Sequence, residues 1–130
     1  FIIGFIMRLV ASAISLSSIF IMLQVFLPTI KDLIARKYFS LLALFTLVGM
    51  YFNVHYCSEN ISGSMMLIAF SLTFANFKKT VIKYILVGFF LAFAFTARYQ
   101  SGFLVLGLIS WLIFIKRLNY KLLVILFFSF

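Results

Sequence analysis

The sequence predicts an all-α fold, a polytopic transmembrane helical bundle of about five to six spans, two of them short. Three observations predict it. Of the 130 residues, 66% are hydrophobic and 10% charged, against about 45–50% and about 25% in soluble domains. The apolar residues fall into long uncharged runs, and the mean hydropathy is +1.27. The basic residues gather in every second connector between those runs, the pattern by which a membrane protein sets its orientation. A soluble helical bundle would not need uncharged runs of this length on every helix. Residues 1–130 read as a single transmembrane domain.

The charges cut the chain into segments. Leu9–Leu27 carries no charge and is closed by Pro28, and Phe39–Cys57 and Ile61–Phe77 follow. At about 1.5 Å per residue, the first two reach about 28 Å, enough for a hydrocarbon core about 30 Å thick. Tyr84–Ala97 and Phe103–Ile115 are shorter and reach only about 20 Å each. Either their helices continue past Arg98 or the pair stops short of the far surface. A last run begins at Leu122. Small residues mark where helices approach closely: Ala11, Ser15 and Ser18 on the first span, Ser62, Gly63 and Ser64 on the third.

The formal charge is +9, from eleven Lys and Arg against two acids, Asp32 and Glu59. In a soluble protein this balance would point to nucleic acid; short basic clusters between apolar runs point instead to membrane topology, with no nucleic acid as partner. Lys31, Arg36 and Lys37, then Lys78, Lys79 and Lys83, then Lys116, Arg117 and Lys121 occupy alternate connectors. The positive-inside rule makes connectors 28–38, 78–83 and 116–121 cytoplasmic. A bacterial inner (plasma) membrane is the expected setting, with membrane lipids as partners.

Other classes are set aside by residue counts. One cysteine, Cys57, excludes an internal disulfide, and with one histidine, His55, no metal site and no cofactor are expected. The start does not read as a signal peptide. Its apolar stretch precedes Arg8, the reverse of the usual order, although Ala11-Ser12-Ala13 resembles a cleavage site. Both ends fall in or beside apolar stretches, so the chain is read as a piece of a longer protein.

With this orientation, nearly all the ionisable groups outside the basic clusters share the non-cytoplasmic side, Arg8, His55, Glu59 and Arg98, with Asn60 and Gln100 beside them. An ionisable group beside a membrane span is costly and points to function. The third and fifth spans begin on that side, and their unsatisfied N–H groups favour an anion. Ser101-Gly102 leaves backbone accessible, and Arg8 and Arg98 supply guanidinium forks suited to phosphate. Plainer roles stand beside these. Arg98 would pair with Glu59, Arg8 would snorkel to the interface, Asn60 would cap the third helix, and His55 would bond Glu59 one turn on. Tyr51, Tyr56, Tyr99 and Trp111 read as interface or core aromatics. Asn60-Ile61-Ser62 matches a glycosylation acceptor, but it abuts a membrane helix.

Three stretches carry a family resemblance. They are Arg8-Leu9-Val10-Ala11-Ser12, Tyr56-Cys57-Ser58-Glu59-Asn60-Ile61-Ser62-Gly63, and Leu91 to Ser101 ending in Ala97-Arg98-Tyr99-Gln100-Ser101, followed by Gly107 and Trp111. Together they resemble the middle of GT-C-fold glycosyltransferases, especially the Alg-type and GPI mannosyltransferase-like group. The resemblance implies an integral membrane enzyme that takes a sugar from a polyprenyl-phosphate donor on the non-cytoplasmic face. It implies donor or phosphate contacts at Arg8, Glu59, Asn60, Arg98 and Gln100. The family's catalytic acid lies in a first extracytoplasmic loop that this sequence lacks. Asp32, the one aspartate, falls in a cytoplasmic connector, so the catalytic residues are unknown and the segment alone is expected to be inactive. A transporter or flippase segment, or an inactive membrane remnant, are the alternatives. Midplane charges and broken helices, the usual marks of transporters, are not the pattern here.

Overall fold

A computed structural model describes residues 2–52, 58–114 and 119–130, with the side chains of 44 and 46–52 excepted. The described chain is all-helical: α1 (Ile2–Phe26), α2 (Leu33–Phe52), α3 (Ser58–Phe74), α4 (Thr80–Ala97), α5 (Gly102–Phe114) and α6 (Tyr120–Ser129). Short 3₁₀ turns follow α1 at Leu27–Thr29 and precede α5 at Tyr99–Ser101. Two stretches, Ile2–Thr29 and Thr80–Ala97, are long and apolar enough to cross a membrane by length and composition.

Local chemistry sets the boundaries. Pro28 sits in the turn that stops α1, where its missing N–H and fixed φ suit a helix terminus. The Thr29 hydroxyl donates to the Phe26 carbonyl at 2.8 Å, satisfying one of the acceptors that a helix end leaves open. Asp32 has a structural role: its Oδ1 accepts the Ile34 N–H at 3.1 Å, an N-cap on α2. α3 begins at Ser58, so Asn60 lies inside the first turn and is not the cap expected from sequence. α4 begins at Thr80, ahead of the last lysine of its connector. Lys83 is therefore helical, and its ammonium reaches back to the Ala75 carbonyl at 2.8 Å. The fourth span is then not short, since α4 covers about 27 Å at 1.5 Å per residue. α5 is described over the 13 residues Gly102–Phe114, and α4 does not continue past Arg98.

The helices alternate in direction. Phe26, at the end of α1, packs on Phe70 and Phe74 near the end of α3, with ring centroids 6.1 and 5.2 Å apart. Phe74 meets Trp111 of α5 at 5.3 Å. Phe95 of α4 meets Phe130, just past α6, at 5.8 Å. So α1, α3 and α5 end together where α2, α4 and α6 begin. That end carries Lys31, Arg36, Lys37, Lys78, Lys79 and Lys121, whereas Glu59 and Arg98 lie at the other.

The core lies among α3, α4, α5 and α6, with Ala69, Val87, Leu91, Ala94, Leu112 and Leu126 almost fully buried. Ser15, Ser18 and Ile19 are the buried residues of α1, in keeping with the small-residue seam read from the sequence. Large apolar side chains also cover the outside. Phe45, Phe103, Phe114 and Phe128 are each about four-fifths exposed or more, an arrangement that water penalises and a bilayer does not.

α6 depends on one close approach. A Cβ on Gly88 of α4 would overlap the Ser129 hydroxyl and stand 2.7 Å from the Leu126 carbonyl oxygen. The hydroxyl can rotate away, but the carbonyl belongs to backbone. Gly88→Ala is expected to push α6 off α4 and destabilise the protein by about 1–3 kcal/mol, the usual cost of overpacking. Gly107→Ala, with nothing within 4 Å of its Cβ, should be tolerated. Thermal unfolding of the two variants in detergent checks the contrast.

Candidate anion-binding recess

The site is built where α4 stops. The Ala94 carbonyl accepts the Arg98 N–H at 3.2 Å, the last helical bond of α4. It also accepts the Ser62 hydroxyl from α3 at 2.8 Å and lies 3.0 Å from the Ser101 hydroxyl. Ser101 Oγ is also 2.7 Å from the Arg98 carbonyl, so its single proton is shared between the two oxygens. The Ser101 N–H donates to Arg98 O at 3.0 Å, closing the turn into α5.

Most hydroxyls of this chain are satisfied on their own helix. Ser64 donates to Asn60 O at 2.7 Å and Ser71 to Leu67 O at 2.8 Å. Ser18 donates to Ser15 O at 2.7 Å. This back-bonding lets serine sit in apolar surroundings at small cost. Ser62 differs: it is buried and its proton crosses to α4. The hydrogen bond ties the first turn of α3 to the last turn of α4.

The knot fixes Arg98 in an extended conformation, φ −155° and ψ 109°. Its Nε donates to Gln100 Oε1 at 2.8 Å, and its Nη1 forms an ion pair with the Glu59 carboxylate. The side chains remain 34% and 58% exposed respectively, so the pair is accessible and contributes little to stability in water. A guanidinium has five N–H donors. Among the described residues, those of Nη2 and the second of Nη1 meet no acceptor.

Beside this group lies a recess of about 230 Å³, lined by Glu59, Ser62, Gly63 and Met66 of α3 and by Arg98, Gln100, Ser101 and Leu104 across the α4–α5 turn. Drug-sized ligands occupy about 300–1,000 Å³, so this space suits a headgroup rather than a whole glycolipid. Larger grooves along α1, at Leu16, Phe20 and Leu23, and along α2, at Tyr38, Leu41 and Phe45, contain no ionisable group except the Tyr38 phenol.

The structure brings together Glu59, Arg98 and Gln100 among the five residues expected from sequence. Asn60 stands next to Glu59, half-buried, and its carbonyl accepts from Ser64, but it does not line the recess. Arg8 is at the same end but apart. Counting about 1.5 Å per residue from the Phe26–Phe74 contact puts it roughly a turn further out than Glu59, on the exposed stretch Ile2–Val10. Among the described residues Arg8 makes no hydrogen bond or ion pair. His55, Tyr56, Cys57, Lys116, Arg117 and the Tyr51 side chain lie outside the described residues. Among the described residues no group of three His, Cys, Asp or Glu is placed to hold a metal.

Sequence reasoning missed Ser62 and Ser101 as hydrogen-bonding residues. Ser62 read as a packing residue and Ser101 as part of an accessible turn. The available signal was position: each lies close to a helix start facing the end of α4, whose terminal carbonyls need donors. No protein-family model, curated protein or solved structure matches the chain.

Removing either hydroxyl tests the knot. Ser62→Ala should lower stability by about 0.5–1.5 kcal/mol, the net value of one hydrogen bond. Ser101→Ala should loosen the turn by a similar amount. Because both bonds converge on one carbonyl, each single variant leaves the other donor in place, so the double variant should cost more than the sum, and a thermal-unfolding double-mutant cycle measures the excess.

Proposed function

We propose that this chain is a membrane-embedded helical module whose recess binds the phosphate of a lipid-linked substrate on the non-cytoplasmic side. The observation that carries this is Arg98, fixed by Glu59 and Gln100 at the rim of the recess with donors still unused. Guanidinium N–H groups arranged as a fork match phosphate oxygens in pairs. The first turn of α3 and the turn before α5 border the same space, so their backbone N–H groups add to the favourable field.

The membrane setting is supported by the two long apolar helices and by the phenylalanines on the outer surface. Orientation rests on the separation of charge between the two ends of the bundle. The lysine-bearing end is cytoplasmic, and connectors 28–38, 78–83 and 116–121 face that side. All of α1 to α6 are then membrane-embedded.

The resemblance of the Arg8, Ser58–Gly63 and Ala97–Ser101 stretches to GT-C glycosyltransferases narrows the reading. In it, the chain is part of an enzyme that transfers a sugar from a polyprenyl-phosphate donor. Arg98 holds the phosphate, Glu59 and Gln100 orient Arg98, and Asn60 and Arg8 contact the donor further out. The residue that activates the acceptor is supplied elsewhere in that enzyme. A transporter or flippase segment is the second reading, since a recess for a lipid phosphate also serves a substrate in transit.

Two variants test phosphate binding. Arg98→Ala is expected to abolish retention of polyprenyl phosphate by the detergent-purified protein. Gly63→Leu should block the recess while leaving the fold intact, because a Cβ there meets nothing within 4 Å. Unchanged retention in both variants would sink the phosphate role. Orientation is checked separately in a Cys57→Ser background. Tyr99→Cys, in the exposed turn, should react in intact cells with a membrane-impermeant thiol reagent, and Lys79→Cys should not.

A further inference from the structure

The opposite end of the bundle has a built feature that the recess does not use. Arg36 Nε donates to the Leu27 carbonyl just past α1, at 3.1 Å. Lys83 Nζ donates to the Ala75 carbonyl just past α3, at 2.8 Å. Each cation thus closes the carbonyl end of a helix, where the dipole favours it. The residues preceding those two acceptors, Phe26 and Phe74, pack together with centroids 5.2 Å apart. The contact draws two basic connectors, distant in sequence, to the two sides of one aromatic junction. Phe39 at 6.4 Å from Phe26, Phe70, and Trp111 extend it.

Around this junction Lys31, Lys37, Lys78 and Lys79 are exposed, and their side chains make no hydrogen bond or ion pair among the described residues. The nearby acid, Asp32, is occupied as the cap of α2. Phe70 and Phe74 remain about 40% exposed, so apolar ring surface is open directly beneath the basic rim. Topology alone asks only for positive charge on one side. It does not ask for two basic connectors to be locked to neighbouring helix ends over a shared aromatic wall.

We propose that this junction is a binding site for an anionic phospholipid of the cytoplasmic leaflet. Lys37, Lys78 and Lys79 meet the phosphate and headgroup, and the Nη groups of Arg36, without an acceptor among the described residues, add a fork. Phe70, Phe74 and Trp111 line the path of the upper acyl chain. The site rests on the membrane reading above but not on the recess or on its substrate. Attraction of anionic lipid to juxtamembrane lysines amounts to about five-fold in binding per charge.

The single tryptophan provides the readout. Trp111 packs on Phe74, about two and a half turns of α5 away from the Arg98 end. The protein is reconstituted in vesicles of phosphatidylcholine, and quenching of Trp111 by chain-brominated phosphatidylglycerol is compared with quenching by brominated phosphatidylcholine. Phosphatidylglycerol should be preferred by about ten-fold or more. Lys78→Gln/Lys79→Gln, which removes two exposed side chains and no internal bond, should bring the preference close to parity, and Lys78→Arg/Lys79→Arg should keep it. In the native protein, 1 M salt should also erase it, since screening then acts within about 3 Å. Equal quenching by both lipids in the native protein, or a preference unmoved by the glutamine pair, overturns the proposal. If the protein does not enter vesicles at all, the membrane reading falls as well, which separates the two failures.

Discussion

The last turn of α4 is the constraint on which the site depends. A helix end leaves its final carbonyls without intrahelical partners, and in apolar surroundings each must find a donor. The Ala94 carbonyl is supplied from three directions: its own helix through the Arg98 N–H, α3 through Ser62, and the following turn through Ser101. Satisfying that acceptor stops α4, fixes the start of α3 against it and sets the direction in which α5 leaves. The extended backbone of Arg98 follows from this closure, and with it the placement of the guanidinium beside Glu59.

The same economy governs the polar groups elsewhere. Serines and threonines on the helix faces return their protons to the preceding turn, so they remain small and self-sufficient. Their size lets α1 approach α3 through Ser15 and Ser18 and lets α4 approach α6 through Gly88. In the membrane setting proposed above, helices among lipid tails would gain little from apolar burial, and close backbone approach would take its place. The apolar phenylalanines are therefore free to cover the outside. The two ends of the bundle are left with different chemistry: an ion pair and a recess at one, lysines over aromatic rings at the other.

Much of the helical plan was legible because charge interrupts an otherwise apolar chain. The helix end near Leu27 and the pairing of Arg98 with Glu59 followed from where charges and proline fall, whereas the end at Ala97 was one of two readings left open. The errors came where a charge did not end a helix. Lys83 belongs to α4 because its long side chain reaches Ala75 while its backbone stays helical, and so the fourth span looked short. Likewise α3 starts ahead of Asn60, with Glu59 already in its first turn. Ser62 was readable as a small residue but not as a donor. Its partner is a backbone carbonyl 32 residues away in sequence, and no pattern of side chains announces it. Arg8 and Arg98 looked equivalent as the two basic residues outside the basic connectors. Packing separates them, since only Arg98 follows a helix end tied to its neighbours.

The ion pair also bears on what the recess can hold. Glu59 neutralises Arg98 and so lowers the attraction of any anion that arrives, yet without it the guanidinium would be one more long side chain free to sweep the surface. Orientation is gained at a cost in charge. The balance favours a ligand that uses geometry as well as charge, because the donors left on Arg98 form a fork and the serine-lined wall excludes bulk. A tetrahedral phosphate with oxygens directed at both the fork and the N–H groups of the bordering turns satisfies more of these demands than a carboxylate of equal charge. In the reading proposed above, the exposure of Glu59 lets it turn toward water when such a ligand takes its place, so the pair holds Arg98 ready without closing the site.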